Sequence, residues 1–335
     1  MNFFNFVSKD IGIDLGTANV LINVSGKGIV LNEPSVVAVD TDKDKVVAVG
    51  TEAYKMVGRT PGNIRVIRPL KNGVIADFDI TEEMLSYFIE KLNVKGFMSK
   101  PNILICAPTG VTSIEQKAII QAAEKSGGGR VYLDFEPKVA AVGAGLDIFR
   151  PQGNMVIDIG GGTTDIAVLS MGEIVTSRSL RWAGDKMNQA IASYIKRSKN
   201  LLVGQHTAEQ IKIQLGTAFE ADPTKTMTVR GRDMVDGLPK QVTINELEVQ
   251  KALEDGLMSI VAATKEVLEQ TPPELSADII DRGIMLTGGG ALLKNIDKLI
   301  TYYLQVPVLK ADEPLEAVAN GTGVLLKNIE NHQRH

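Results

Sequence analysis

Two segments of the chain end an apolar run in aspartate and then turn on glycine and threonine. They are Ile11-Gly12-Ile13-Asp14-Leu15-Gly16-Thr17-Ala18-Asn19 and Met155-Val156-Ile157-Asp158-Ile159-Gly160-Gly161-Gly162-Thr163-Thr164-Asp165. Such a turn sets a carboxylate at a strand end and leaves the next backbone amides uncovered. Glycine supplies the positive φ and the close approach that phosphate oxygens need. The first copy alone is weak, because Asp-x-Gly-Thr turns also occur in hairpins without a ligand. The second is more demanding. Three consecutive glycines cost stability, two hydroxyls follow at once, and a phosphate cradle is the obvious return. A third turn, Gly288-Gly289-Gly290-Ala291-Leu292, leaves an apolar strand. Leu292, Leu293, Ile296, Leu299, Ile300 and Tyr303 stand at helical spacing behind it, predicting a helix with a glycine-lined N-terminus suited to phosphate, base or ribose. Jointly the three turns predict a nucleotide held in a cleft. None has P-loop or dinucleotide-fold spacing.

Asp14 and Asp158, on opposite walls, are placed to hold a hydrated Mg²⁺ against the phosphates, since that ion keeps several waters and takes few protein ligands. Glu136-Pro137 reads in two ways. Proline suits a first helical position, so Glu136 is either a simple helix-start carboxylate or the group that positions a water for attack on a γ-phosphate. His206, His332 and His335 are too few and too scattered for a metal site. Cys106 reads as a small buried hydrophobe, and Glu209 with Lys212, three residues apart, as a solvated ion pair.

These groups need a frame, and the doubled turn suggests a doubled one. Each copy continues as a hairpin, through Val20–Val24 and Ile29–Leu31 in the first and Ile166–Leu169 and Ile174–Val175 in the second. The apolar run Ile103–Ala107 predicts a buried strand, and Thr112 with Glu115 a capping box opening a helix that ends at Gly127-Gly128-Gly129. Strands alternating with helices predict an α/β fold of two similar domains, each with a smaller inserted unit around the cleft. The expected division is 1–31, 69–145 and 316–335 for the first domain, with 32–68 inserted. The second is 146–180 and 244–315, with 181–243 inserted. That last unit reads as mostly helical, with a capping box at Thr207 and Gln210 and a polar, turn-rich stretch from Asp222 to Pro239 that holds the strand-like Thr226-Met227-Thr228-Val229.

The 335 residues fit about two domains, and 44% apolar with 23% charged residues is ordinary for a packed protein. Lys and Arg total 36 against 40 for Asp and Glu, a formal charge of -4. That balance lacks the basic excess of a nucleic-acid binder. One cysteine permits neither an internal disulfide nor a thiolate cluster, which suits a reducing cytoplasm. No apolar run approaches the roughly 18–20 residues of a membrane-spanning helix, so the expected state is soluble or peripheral. Phe3, Phe4, Phe6 and Val7 beside Lys9, and Phe97 with Met98 between Lys95 and Lys100, are apolar tips with cationic neighbours, as interfacial anchors require.

Taken in order, the Asp14–Asn19 turn, Glu136-Pro137, Asp158–Asp165, Ala183-Gly184-Asp185 and Leu286–Leu292 resemble the MreB-type bacterial actins. The likeness covers nearly the whole chain, including Arg59–Asn63 and Thr207–Lys212, and leans towards the MreB, Mbl and MreBH paralogues of Gram-positive rods. It implies an actin-like fold of four subdomains, ATP and Mg²⁺ in the central cleft, and self-association into paired filaments. These would lie on the inner face of the cytoplasmic membrane, working with paralogous actins and the cell-wall elongation machinery to maintain rod shape. By motif match, Gly16, Thr17, Ala18 and Asn19 with Gly160, Gly161, Gly162 and Thr163 would hold phosphates. Gly184, Asp185, Glu209, Gln210, Ile211 and Lys212 would lie on the ribose and base side. Gly288 to Leu292 would hold the adenosine, and Glu136 and Thr163 would orient the attacking water. Phe135 and Lys138 depart from the family's acid before Glu-Pro and small residues after it, which bears on hydrolysis and leaves binding untouched. The alternative is a small-molecule, sugar-type kinase on the same fold, which needs an acceptor-activating Asp that no separate motif supplies.

Overall fold

The computed structural model describes residues 9–92 and 100–333. The expected lipid-facing residues Phe3, Phe4, Phe6, Phe97 and Met98 lie outside the described residues.

The doubled turn sits in a doubled sheet. The first sheet orders its strands Val131–Phe135, Ile103–Ala107, Ile11–Leu15, Asn19–Val24 and Gly28–Pro34. The second runs Val308–Lys310, Ile284–Thr287, Asn154–Ile159, Thr164–Ser170 and Glu173–Leu180. In both, the strand carrying the turn aspartate lies at the centre, parallel to the strand on one side and antiparallel to its own hairpin partner on the other. Each hairpin also slips register once in the following pair, between Ile22 and Asn23 in one sheet and between Val168 and Leu169 in the other. The central strands are buried nearly end to end, as expected where a sheet is covered on both faces.

The sheets share a core. The helix Glu136–Gly143 and the C-terminal helix Ala317–Gln333 lie between them, and Val139, Ala140, Val318 and Leu326 pack with Leu104 and Cys106 from one sheet and Val156, Ala167 and Leu169 from the other. The two helices cross at glycine. A methyl group on Gly143 would stand 1.7 Å from the Ala317 carbonyl oxygen, and one on Gly321 would stand 1.9 Å from that of Val139. Cys106 is free and buried in this core, and burial pushes its thiol well above the usual range, in keeping with an inert hydrophobe.

The 32–68 segment forms a three-stranded sheet with the helix Thr51–Lys55 and a small core of its own around Val36, Ala38 and Ala53. The 181–243 segment carries the helices Gly184–Lys199 and Gln205–Leu215, but it is less helical than its sequence suggests. Where a turn-rich stretch was expected, the strand Thr226–Asp233 pairs over seven positions with Pro239–Asn245. The strand-like Thr226–Val229 is the first half of this hairpin's first strand, and its partner gives little signal because Pro239–Asn245 buries only Ile244.

The capping box at Thr112 and Glu115 forms with both reciprocal hydrogen bonds. The one expected at Thr207 and Gln210 does not. Its helix begins three residues earlier, with Gly204 in place of Thr207 at the N-cap, so Thr207 lies inside the first turn. A box missed by sequence joins Asn245 and Glu248 at the head of the long helix Glu246–Gln270.

Candidate nucleotide and metal site

The two aspartate turns meet. Gly16 has no room for a side chain, because a methyl group there would come 2.6 Å from the Asn19 carbonyl oxygen. A methyl on Gly161 would approach the Ala18 methyl at 2.6 Å, and one on Gly162 would approach the Thr17 hydroxyl at 2.3 Å and the Gly73 nitrogen at 2.9 Å. The absence of side chains therefore lets the two walls close backbone to backbone. Gly73, at a φ of 75° in the turn Asn72-Gly73, donates its amide to the Thr17 hydroxyl at 2.9 Å.

The second turn is braced from behind. The Gly184 and Asp185 amides donate to the Gly160 and Gly161 carbonyls at 3.1 and 2.8 Å, and the Thr164 hydroxyl donates to the Trp182 carbonyl at 2.7 Å. The start of the helix Gly184–Lys199 thus holds the turn in shape, and its Asp185 side chain lines the cleft. The third glycine turn packs on the same element. Gly288 has a φ of +77°, and a methyl on it would meet the Ile159 carbonyl oxygen at 2.4 Å and Asp158 Oδ1 at 2.9 Å. Here the expected helix differs. Gly289–Leu292 form a single 3₁₀ turn, Asn295 adopts the left-handed conformation, and the α-helix starts only at Ile296. Close backbone contact, and not an α-helix dipole, is what this turn offers. Within it Ala291 is fully buried and Leu292 is exposed.

Four carboxylates converge behind the turns. Burial, and next the Asp158 charge, raise Asp14 to about 7. Burial raises Asp158 to about 6 against the pull of the Thr287 hydroxyl, which donates to its Oδ1 at 2.7 Å. Glu136 is buried at the start of its helix as expected, and burial, then Asp165, Asp14 and Asp158, push its proton affinity well up. Asp165 is fully buried and raised by that burial, although Thr109 donates both its amide and its hydroxyl to Oδ1 at 2.8 Å. Among the described residues no three His, Cys, Asp or Glu side chains form a self-sufficient metal cage. Two facing carboxylates short of positive charge fit a hard, hydrated cation that takes its other ligands from water and phosphate. Asp14 and Asp158 would hold it.

Lys138, the departure beside Glu136, reaches Asp134 at 3.4 Å and Glu173 at 3.8 Å. Its charge is thereby answered by acids other than Glu136.

Glu209 and Lys212 are not the solvated pair their spacing suggests by default. Lys212 donates to the Gly184 carbonyl at 3.2 Å, and burial lowers its affinity for a proton. Glu209 accepts a hydrogen bond from Tyr54 on the opposite wall. Gln210 accepts a hydrogen bond from Gln214 along its own helix at 3.3 Å, and Ile211 is fully buried in the core. Above the turns the walls enclose a cleft of about 440 Å³, lined by Tyr54, Arg68 and Asn72 on one side and Asp185, Asn188 and Glu209 on the other. Sequence reasoning assigned no role to Asp165, Thr109, Thr287, Gly73 or Tyr54. Thr287 and Asp165 adjoin motifs already in view, whereas nothing local marks the other three.

The model of the MreB/Mbl protein family matches residues 8–334. The chain belongs to the MreB/Mbl family. The cell shape-determining protein Mbl of Bacillus subtilis is 64% identical over 323 residues, 96% of this chain and 97% of that protein. The cell shape-determining protein MreB of Escherichia coli is 48% identical, over 98% of this chain and 96% of its own length. Among solved structures, MreB5 of Spiroplasma citri bound to ADP superposes with a TM-score of 0.93 at 40% identity, covering 98% of this chain and 99% of that one. The double helical filament of MamK shares the fold, with a TM-score of 0.82 at 20% identity over 95% of this chain and 98% of that one. The architecture is therefore actin-like, as the resemblance implied, and these relatives lend the kinase alternative no support.

Proposed function

We infer that this chain is an actin-like cytoskeletal protein that binds ATP with Mg²⁺ between its two aspartate turns and assembles into filaments that determine cell shape. The observation that carries the reading is the contact of Gly161 and Gly162 with Ala18 and Thr17, made beside facing carboxylates. Its relatives are cell shape-determining proteins, and one structural relative is bound to ADP. The reading takes the four subdomains to be the divisions expected from the sequence. Membrane attachment through Phe3, Phe4, Phe6, Phe97 and Met98, and cooperation with the wall-elongation machinery, complete the proposal.

Mg²⁺, when bound, supplies positive charge against the phosphates. The chain's own residues do the rest. Amides of Gly16–Asn19 and Gly160–Thr163 meet phosphate oxygens, Glu209 and Lys212 face the ribose and base, and Gly288–Gly290 allow the adenosine to approach the backbone. Glu136, with its raised proton affinity, accepts a hydrogen bond from water, and the buried Thr163 hydroxyl helps to orient it. Turnover serves the state of the polymer.

Sedimentation with ATP and Mg²⁺, on lipid vesicles and without them, tests the reading. Nucleotide-dependent pelleting supports it. Monodisperse protein under both conditions, together with phosphate transfer to a sugar, would overturn it in favour of the kinase.

A further inference from the structure

One hydroxyl spans the mouth of the cleft, that of Tyr54, which bonds to Glu209 and, at 3.4 Å, to His206 Nδ1. Tyr54 belongs to the short helix Thr51–Lys55 on the inserted 32–68 unit, and its hydroxyl donates to Glu209 Oε2 on the helix Gln205–Leu215, 155 residues further along the chain. The Tyr54 ring also meets His206 edge to face, with centroids 6.0 Å apart. Arg68 stands on the same wall as Tyr54, and Asp185 and Lys212 stand beside Glu209, so the bond closes a polar cluster drawn from both sides. Burial and the neighbouring Glu209 charge raise the phenol to about 12, which keeps Tyr54 a donor at neutral pH. The small unit has a core of its own around Ala53, one residue before Tyr54, so its helix presents the tyrosine from a packed base.

We propose that Tyr54 is a positioning residue for the nucleotide: its hydroxyl fixes the Glu209 carboxylate and ties the two walls together over the bound ribose. The proposal rests on the reading of this cleft as a nucleotide site. The Glu209 carboxylate has two oxygens, and Tyr54 engages one, so latch and ribose contact are compatible. A nucleotide leaving the cleft then has to wait for the bond to open.

The test is stopped-flow release of a fluorescent ATP analogue from the full chain in Mg²⁺, comparing the parent with Tyr54→Phe, Glu209→Ala and the double variant. Phenylalanine keeps the ring and its edge contact with His206 and removes the hydroxyl, with its bond to Glu209 and its longer one to His206 Nδ1 at 3.4 Å. Loss of one hydrogen bond to a charged group predicts release roughly ten-fold faster. For Tyr54→Phe association should change little and the melting temperature should hold, and the double variant should release no faster than Glu209→Ala alone. If the parent binds the analogue and Tyr54→Phe releases it at the parental rate, or if the two effects add in full, the latch is wrong and the nucleotide site stands. A parent that binds no analogue overturns the site reading and the latch together.

Discussion

Gly161 stands so close to Ala18 that a single added methyl would come within 2.6 Å of the alanine side chain. These residues lie in hairpin turns of different sheets, and their contact is what makes one site out of two repeated turns. It follows that small changes at the seam should affect binding before they affect folding.

Gly162→Ala is the sharpest such change. Its methyl would meet the Thr17 hydroxyl at 2.3 Å and backbone atoms of Asn72 and Gly73 at 2.9 Å, and backbone cannot rotate away. The walls must part. Titration calorimetry should show nucleotide affinity reduced about ten-fold or more, while the circular dichroism spectrum keeps its parental shape.

Asp158 and Glu136 should separate binding from turnover. Asp158→Ala removes half of the expected cation site and should abolish Mg²⁺-dependent retention of nucleotide. Glu136→Ala should bind at near-parental affinity and hydrolyse more slowly by a factor of roughly 10² to 10⁴, the usual worth of a positioned acid or base. Phosphate release at the parental rate would remove Glu136 from its role.

The carboxylate cluster gives stability an unusual pH dependence. Asp14 and Asp158 lie at about 7 and about 6 in the folded chain against an ordinary 3.8, so folding favours their protonated forms. That contribution is complete below the unfolded value and is lost as pH rises through 6 and 7. Without nucleotide, the melting temperature should fall between about pH 5 and pH 8, and Mg²⁺ with ATP should flatten the slope. Carboxylates held low, such as Glu33 and Glu246, lose their contribution only at more acidic pH and leave this window alone.

The proposed lipid anchors are separable from the cleft. Replacing Phe3, Phe4 and Phe6 by serine should weaken flotation with anionic liposomes and leave ATP affinity unchanged. Parental flotation would take the N-terminal segment out of the mechanism.

What could be read from the sequence was what repeats or what costs something. The duplicated Asp-Gly-Thr turns implied duplicated sheets, and the match extends to the slipped register beside Ile22 and Val168. Glycine triplets in a packed chain demanded a reason, and Ala18 and Ile159 supply it by filling the space that side chains would occupy. The contacts that close the cleft were illegible. Thr109 and Asp165 are 56 residues apart and Tyr54 and Glu209 are 155 apart, with no local pattern to link either pair. The return strand Pro239–Asn245 escaped for a different reason, since a strand that buries one side chain gives little alternation to detect, whereas Thr226–Val229 before it was strand-like in sequence.

The central claim is that the two turns close on one metal-bound triphosphate. A crystal structure of the full chain with Mg²⁺ and a non-hydrolysable ATP analogue tests it most directly. The account predicts the metal between Asp14 and Asp158, with phosphate oxygens on the amides of Gly16–Asn19 and Gly160–Thr163. An analogue seated elsewhere, with both turns bare and the two aspartates lacking a shared cation, would contradict it.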